Sequence, residues 1–411
     1  MIIESPQTTH IGDLAVSKWR VHWETANRPS AELYVAVRQD QAHMLHASDH
    51  TALLAALPSA ALHNEPKLSV SSVDPELLEG LEVVQEYYHH WRDISPVELD
   101  TASLMTRPAL QPGRSTAAFF SGGIDSLATL RKNVATFPAP HPSRVTHALH
   151  VDLAGPAQIE DLQGKLSPRQ LEVCAGLHIA TSDLGVELVP IVTNIRSLEG
   201  YDFNADWMFH SHGTTLAAVA HSFEPAFQKV LIASTYDARH LSPWGSHPLI
   251  DGHLSSSAVR IRHHNEQYSR QEKLELVADW PAGLHALDVC FHWKNRQLGK
   301  RNCGRCEKCL RTKAGLLAAG KDLTHLGAFD YPDLSIRDLR TLPPLKDEYE
   351  RHCWAEIEQA LAFRQLPQAR AIRQALWRDR MRRLEPPLLR QVARSARNAW
   401  RSRTTSTADN S

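Results

Sequence analysis

The stretch Phe119-Phe120-Ser121-Gly122-Gly123-Ile124-Asp125-Ser126-Leu127 decides the fold of the middle of the chain. Two glycines follow an apolar run, and they let the backbone turn tightly and approach a ligand without a Cβ in the way. A helical pattern begins after them, and a helix N-terminus offers unpaired N–H groups and the positive end of its dipole. Because Ser121 and Ser126 add two hydroxyl groups, the stretch predicts a phosphate-binding loop between a strand and a helix. A plain glycine turn without a ligand is the alternative.

Asp125 is the unexpected member of this loop, since its carboxylate would repel a phosphate group. Two roles would explain it: the side chain caps the helix, or it holds Mg²⁺ between itself and the phosphate oxygens. The loop does not have the Walker A pattern, because no Gly-Lys-Ser/Thr follows the glycines.

The sequence around the loop alternates strands with helices, which predicts a parallel sheet in an α/β domain. Helices are expected to begin at the typical N-cap residues Ser167 and Ser269, and another is expected over Asp206–Ser222. Asp152 follows the second strand at the carboxyl edge, where open α/β sheets bind ligands. It is therefore either a nucleotide contact or an ordinary polar strand end. The expected strands are Ala117–Phe120, Val145–Val151, Glu187–Thr193, Val230–Ser234 and Val259–Arg262.

A chain of 411 residues suggests two domains, or one large core with extensions. Residues 1–106 have the pattern of a small α+β domain, with a hairpin and a helix capped by Asp74. A linker follows, and residues 116–320 form the parallel-sheet domain. Residues 321–403 are expected to be a helical extension, and residues 404–411 a disordered polar tail.

Six cysteines are present, and four of them lie close together at Cys290, Cys303, Cys306 and Cys309. The C-x-x-C spacing brings sulfurs to one side of a turn, and four thiolates suit tetrahedral Zn²⁺. An iron–sulfur cluster and unligated thiols are the alternatives. The remaining two, Cys174 and Cys353, are expected in the core.

The formal net charge of −1 argues against a molecule that binds polyanions over its whole surface. The arginines from Arg364 to Arg403 either contact nucleic-acid phosphate or form a solvated helix face. The beginning of the chain lacks the pattern of a signal peptide, and no apolar run is long enough for a membrane helix. We therefore expect a cytoplasmic protein that does not bind membranes.

The Ser121–Ser126 stretch resembles the SGGxDS signature of the PP-loop ATP pyrophosphatases. A PP-loop followed downstream by Cys…Cys-Gly-x-Cys-x-x-Cys resembles the 7-cyano-7-deazaguanine synthase branch of that family. Lys273-Leu274-Glu275-Leu276-Val277 is similar to a helix of that branch, and the resemblance covers about Thr116 to Leu317.

The resemblance implies a doubly wound parallel sheet and an AMP-forming ligase that uses ATP and Mg²⁺. A carboxylate or amide oxygen would attack the α-phosphorus, pyrophosphate would leave, and a nitrogen nucleophile would then displace AMP. Asp125, Ser126 and Lys273 would be catalytic, and the cysteines would bind Zn²⁺. The nucleotide would be bound by Ser121, Gly122, Gly123, Ile124, Asp125, Ser126 and Asp152.

Three other functions are compatible with parts of the pattern. The cysteines would act chemically in a sulfur transferase similar to the tRNA thiolases, and a non-catalytic regulatory protein would only bind the nucleotide. An asparagine-synthetase type is disfavoured, because Ile2 stands where its glutaminase needs cysteine. The basic insert Trp293–Asn302 lies between cysteines, and we expect it to be a mobile lid.

Overall fold

The computed structural model describes residues 1–105, 113–199, 206–290, 292, 300–324 and 326–384. The chain divides into two compact units. The first comprises Met1–Asn302 and Leu326–Asp330, and the second comprises Cys303–His325 and the chain from Tyr331 onward.

All eleven strands of the described chain lie in one sheet of the first unit. Their order is β11-β10-β7-β8-β9-β4-β3-β1-β5-β6, and β2 pairs with β3. The predicted α/β class with a mostly parallel sheet is thereby confirmed. The strands are β1 Ile2–Ile3, β2 Gln7–Ile11, β3 Leu14–His22, β4 Ala31–Arg38, β5 Lys67–Val73, β6 Glu98–Leu104, β7 Ser115–Phe119, β8 Val145–Asp152, β9 Glu187–Thr193, β10 Phe227–Ala233 and β11 Arg260–His264.

The five strands from β7 to β11 are the ones that the sequence predicts, and all of their mutual pairings are parallel. The chain places β8 and β9 on one side of β7 and then returns to place β10 and β11 on the other. The strand order therefore reverses between β7 and β10. At such a reversal, the loops that follow the carboxyl ends of the two neighbouring strands leave a crevice between them. Open α/β proteins bind ligands in this crevice.

The N-terminal strands continue this sheet and do not form a separate domain. The predicted hairpin is present as β3 and β4, and the other edge of β4 pairs antiparallel with β9. Val35 lies opposite Thr193, and Tyr34 N donates to Asn194 Oδ1 at 3.0 Å. The chain therefore does not divide near residue 106, as was expected. The reason is that β4 is hydrogen-bonded along both edges and so joins the first hundred residues to the parallel strands.

The helices of the described chain follow the predicted N-terminal signals. Ser167 with Gln170 and Ser269 with Glu272 form capping boxes, and the Asp74 side chain accepts from Glu76 N. The first unit contains α1 Asp49–Leu62, α2 Pro75–Arg92, α3 Ile124–Thr136, α4 Pro168–Asp183, α5 His212–His221, α6 Arg270–Ala278 and α7 Pro281–Ala286.

One predicted helix has a different beginning. The segment expected to be helical over Asp206–Ser222 opens with a π-helical turn at Trp207–Ser211, and α5 starts only at His212. Such turns occur most often at functional sites.

The second unit is helical, and it includes Cys303–His325 ahead of the extension that was expected from residue 321. It contains α8 Glu307–Ala318, α9 Ile336–Arg340, α10 Glu348–Phe363 and α11 Pro367–Leu384. The rest of the predicted extension and the predicted tail at residues 404–411 lie outside the described residues. Among the helices that the structure describes, none is both long and apolar enough to cross a bilayer.

The core of the first unit contains two histidines in edge-to-face contact. His50 on α1 and His221 on α5 have ring centroids 5.4 Å apart, and both side chains are almost fully buried. Burial lowers the pKa of His50 from 6.5 to about 4 and that of His221 to about 3. His50 Nε2 accepts from Asp74 N at 3.0 Å, a role that the protonated ring could not play.

We predict that this pair makes the first unit sensitive to acid. The unfolded chain binds protons on these rings below pH 6.5 and the folded chain does not, so each ring lowers the unfolding free energy by about 2 kcal/mol between pH 7 and pH 5. Urea unfolding at the two pH values measures the difference. His221→Gln should reduce the pH dependence by about that amount. The exposed His178→Gln should leave it unchanged, and equal effects of the two variants would contradict the assignment.

Candidate functional site

The predicted strand, loop and helix are present at the reversal of the strand order. Strand β7 ends at Phe119 and α3 begins at Ile124, with Gly123 as its N-cap residue. Phe120 N donates to Leu149 O at 2.8 Å and fixes the loop to the neighbouring strand β8. No side chain of the described residues caps the N-terminus of α3. Its first N–H groups therefore face the loop without a side-chain acceptor.

The two serine hydroxyls have different positions in the loop. The buried Ser126 Oγ donates to Gly123 O at 2.9 Å and accepts from Ser121 N at 3.2 Å, so it holds the shape of the loop. Ser121 is exposed, and its Oγ lies 3.4 Å from Ser126 Oγ and accepts from Gly123 N at 3.3 Å. The Ser121 hydroxyl can therefore reach a ligand that sits over the loop.

Gly122 is required by the backbone and by its neighbours. Its φ of +78° is rarely adopted by other residues. A Cβ at this position would lie 2.7 Å from Ala286 O and 2.8 Å from Leu177 Cδ2. Gly122 O also accepts from Asp288 N at 2.8 Å. The segment that follows α7 thus packs directly on the loop.

The Asp125 side chain does not cap α3, and the first of its two expected roles is therefore wrong. Its carboxylate instead lies between two basic side chains of α6. Arg270 Nη1 is 2.7 Å from Oδ2, and Lys273 Nζ is 3.4 Å from Oδ1. Burial raises the pKa of Asp125, but the two cations lower it by more, so the net pKa lies below its ordinary value.

Lys273 connects the loop to the end of β10. Its side chain is fully buried, and its Nζ donates to Ser234 O at 2.5 Å. Burial lowers the pKa of Lys273, and Asp125 counteracts this only in part. The predicted residues Asp125 and Lys273 are therefore in contact, and the segment after β10 lies beside them.

Asp152 ends β8, as expected, and its Oδ1 accepts from Ala154 N at 2.9 Å. Near it, Nδ1 of the partly buried His150 donates to Phe120 O at 3.0 Å. Burial lowers the pKa of His150, while its hydrogen bond to Phe120 and the carboxylates of Asp152 and Asp288 act in the opposite direction. Both carboxylates are therefore within electrostatic reach of the His150 ring, which is hydrogen-bonded to Phe120 at the start of the loop.

Sequence reasoning missed Arg270, Asp288 and His150. Arg270 could have been found, because it lies one turn before Lys273 at the start of a capped helix. Asp288 had no such signal, since its proximity to Gly122 arises from a contact across more than 160 positions of sequence.

Four cysteines come together where the sequence predicts a metal site. The sulfurs of Cys290, Cys303, Cys306 and Cys309 all lie within 4.8 Å of one another. Cys306 Sγ is 3.3 Å and Cys303 Sγ is 3.9 Å from Cys309 Sγ. Tetrahedral thiolates around a zinc ion are about 3.8 Å apart, so the four residues fit a metal ion. The other two, Cys174 and Cys353, are buried as expected.

The lid predicted for Trp293–Asn302 falls largely outside the described residues and stays a prediction. Among its described residues, 300–302, Arg301 donates from Nη1 to Ala286 O at 3.0 Å. The Arg301 guanidinium also lies against Gly176 on α4, where a Cβ would come within 1.1 Å of Nη2.

Comparison with protein-family models, with curated proteins and with solved structures finds no match for this chain. The resemblance to the PP-loop ATP pyrophosphatases therefore rests on the sequence motifs themselves, and it stays a prediction.

Gly122→Ala should destabilise the loop, because alanine is strained at positive φ and its Cβ would meet Ala286 O. We expect a loss of about 2 kcal/mol or more in the unfolding free energy, measured by urea unfolding. Gly252→Ala is the matched control, since nothing lies within 4 Å of the added Cβ, and it should change stability by less than about 0.5 kcal/mol. Similar losses in both would contradict the packing argument.

The purified protein should contain one metal ion per chain at the four cysteines. Cys306→Ser should lower the metal content, measured by elemental analysis, and also the melting temperature, because the metal stabilises the segment that holds it. Cys174→Ala is the control and should retain the metal. Unchanged metal content in Cys306→Ser would show that the ion is bound elsewhere.

Proposed function

We propose that this chain is an AMP-forming ligase of the PP-loop type, which binds the pyrophosphate part of ATP at Ser121–Ser126. The observation that carries the proposal is the position of this loop. It joins a central parallel strand to an uncapped helix N-terminus, at the point where the strand order reverses. Helix N-termini at such positions bind phosphate groups in many nucleotide enzymes. The sheet from β7 to β11 would then be of the doubly wound kind.

Charge in the neighbourhood of the loop supports an anionic ligand. Arg270 and Lys273, both paired with Asp125, bring two basic side chains beside the first turn of α3. The role proposed for Asp125 is to hold these two cations in place, which removes the difficulty of a carboxylate in a phosphate loop. The cations and the first N–H groups of α3 would stabilise charge that develops on the leaving pyrophosphate.

The reaction proposed is a two-step condensation. A carboxylate oxygen of the acceptor attacks the α-phosphorus, the bond from that phosphorus to the β-phosphate oxygen breaks, and pyrophosphate leaves. A nitrogen nucleophile then attacks the acyl carbon, the bond to AMP breaks, and the nitrogen loses a proton. The loop contributes position and charge to the first step. Within this proposal, Ser126 shapes the loop and Ser121 contacts phosphate.

Mg²⁺, when bound, would neutralise phosphate charge and orient the triphosphate. Carboxylates are suitable ligands for it, but Asp125 is already engaged by two cations. Asp152 and Asp288 are therefore the residues we propose for this ion, since both act electrostatically on His150 beside the loop.

The acceptor is proposed to bind next to the segment that follows β10. Trp244 packs edge-to-face on Tyr236 at 5.6 Å and on Phe209 at 5.4 Å, and these three rings are partly exposed. Tyr236 lies two residues after Ser234, whose carbonyl binds Lys273. The aromatic surface is thus continuous in sequence with the phosphate-loop contacts.

The cysteines are proposed to hold a structural Zn²⁺, because four protein thiolates leave no open position for a substrate. This disfavours the sulfur-transferase alternative, in which cysteines must be available to react. A purely regulatory nucleotide-binding protein would share the same loop and is separated from the ligase by the AMP assay below.

Nucleic acid stays a proposed partner of the arginine-rich extension. Part of that charge is already used within the second unit, where Arg373 pairs with Glu358 and Arg383 with Glu348. These ion pairs leave fewer arginines of the described extension available to phosphate than the arginine content suggests.

We predict that inorganic pyrophosphate and ATP bind the wild-type protein in isothermal titration calorimetry, a test that needs no acceptor. Ser121→Ala should weaken pyrophosphate binding about tenfold, because one hydrogen bond to a charged group is worth about 1.5 kcal/mol or more. The exposed Ser182→Ala on α4 is the control. With an acceptor in hand, wild type should form AMP and Ser121→Ala should form much less.

Two results separate the remaining functions. Binding without AMP formation across a panel of carboxylate acceptors would favour the regulatory protein. Equal pyrophosphate affinity in wild type and Ser121→Ala would remove the loop as the binding site.

A further inference from the structure

Lys313 is a buried lysine in the second unit that the proposed chemistry does not use. It lies on α8, and its side chain is about 1% exposed. Lysine is almost never fully buried unless its charge is compensated, since an ammonium group loses much of its hydration free energy in the interior. A compensating charge is therefore expected near it.

The hydrogen bonds of Lys313 do not supply that charge. Its Nζ donates to Tyr331 O at 2.9 Å and to Asp333 O at 2.6 Å. Both acceptors are backbone carbonyl groups, which satisfy two of the three N–H donors but carry no net charge.

The cysteine cluster lies on the same side of α8. Cys309 precedes Lys313 by four residues, so their side chains share one face of the helix. Burial lowers the pKa of Lys313, whereas Asp333, Asp338, Cys309 and Cys303 act in the opposite direction. The ammonium group is thus within electrostatic reach of two of the sulfurs.

The charge of an occupied metal site would complete this arrangement. Four thiolates around a divalent ion leave two negative charges in excess, and part of the cluster is buried. Such a centre costs free energy to bury unless cations lie close by. Asp333 and Asp338 offset part of the cost of burying the ammonium group, and the negative charge of the metal centre would add to their effect.

We propose that Lys313 is the fixed counter-charge of the four-cysteine metal centre and raises its affinity for a divalent ion. The inference rests on the proposed metal site. The residue acts through the thiolates and does not bind the metal itself, as outer residues do in other metal sites. The competing role is mechanical, in which Lys313 only ties the segment at Tyr331–Asp333 to α8.

Charge and mechanics can be separated by two substitutions. Lys313→Gln keeps a hydrogen-bond donor but removes the charge, and Lys313→Arg keeps the charge. Lys321→Gln is the control, because this lysine follows α8 in the same unit and is partly exposed. The full chain of each variant is loaded with Zn²⁺ or Co²⁺ and titrated with a chromophoric chelator.

Substitution of residues outside the ligand shell typically lowers metal affinity 10- to 100-fold. Lys313→Gln should therefore bind Zn²⁺ at least about tenfold more weakly than wild type. The Zn²⁺ affinity of Lys313→Arg should stay within about threefold of the wild-type value. The thiolate-to-Co²⁺ absorption bands should also shift in Lys313→Gln, because the charge near the sulfurs changes. Lys321→Gln should match wild type in both measurements.

Equal Zn²⁺ affinities and Co²⁺ spectra for wild type and Lys313→Gln would overturn the proposal. Equal losses of Zn²⁺ affinity in Lys313→Gln and Lys313→Arg would also overturn it and would favour the mechanical role. Should Lys313→Gln not fold, Lys313→Arg decides alone, since a loss of about tenfold with the charge retained contradicts the proposal. Wild-type protein that binds no metal would remove the metal site itself, a separate failure from the loss of Lys313's role.

Discussion

The pairing of Asp125 with Arg270 and Lys273 is the interaction on which the candidate site depends. It joins α3 to α6 beside the phosphate loop, and Lys273 extends the connection to Ser234 at the end of β10. Removing the carboxylate would take away the negative charge that offsets the burial of the Lys273 ammonium group, which is a costly change in a protein interior. The same pairing makes an acidic residue of the loop the partner of two cations on α6.

A second constraint fixes the loop from the opposite side. Gly122 has no room for a side chain because the segment after α7 lies on it, and Asp288 N donates to its carbonyl. Cys290 follows two residues later, so the first cysteine of the cluster lies close in sequence to the residue that contacts the Ser121–Ser126 loop. Val289 N is held in turn by Asn302 Oδ1 at 2.8 Å. The proposed structural metal and the proposed nucleotide site are therefore linked by a short, hydrogen-bonded stretch of backbone.

The sequence predicts local features well, because each depends on neighbouring residues. The five parallel strands, the capping boxes at Ser167 and Ser269, and the clustering of the cysteines all belong to this kind. Contacts between distant positions were not predictable. The pairing of β4 with β9 joins residues more than 150 positions apart, and nothing in an alternating apolar pattern identifies the partner strand. The role of Asp125 was misjudged for the same reason, since its partners lie about 145 positions away.

The central claim is that the Ser121–Ser126 loop holds the pyrophosphate part of ATP. The most direct test is a crystal structure of the protein with a non-hydrolysable ATP analogue and Mg²⁺. The account predicts β- and γ-phosphate oxygens within about 3 Å of Ser121 Oγ and of the first backbone N–H groups of α3. A nucleotide bound elsewhere, with this loop unoccupied at saturating ligand, would contradict it.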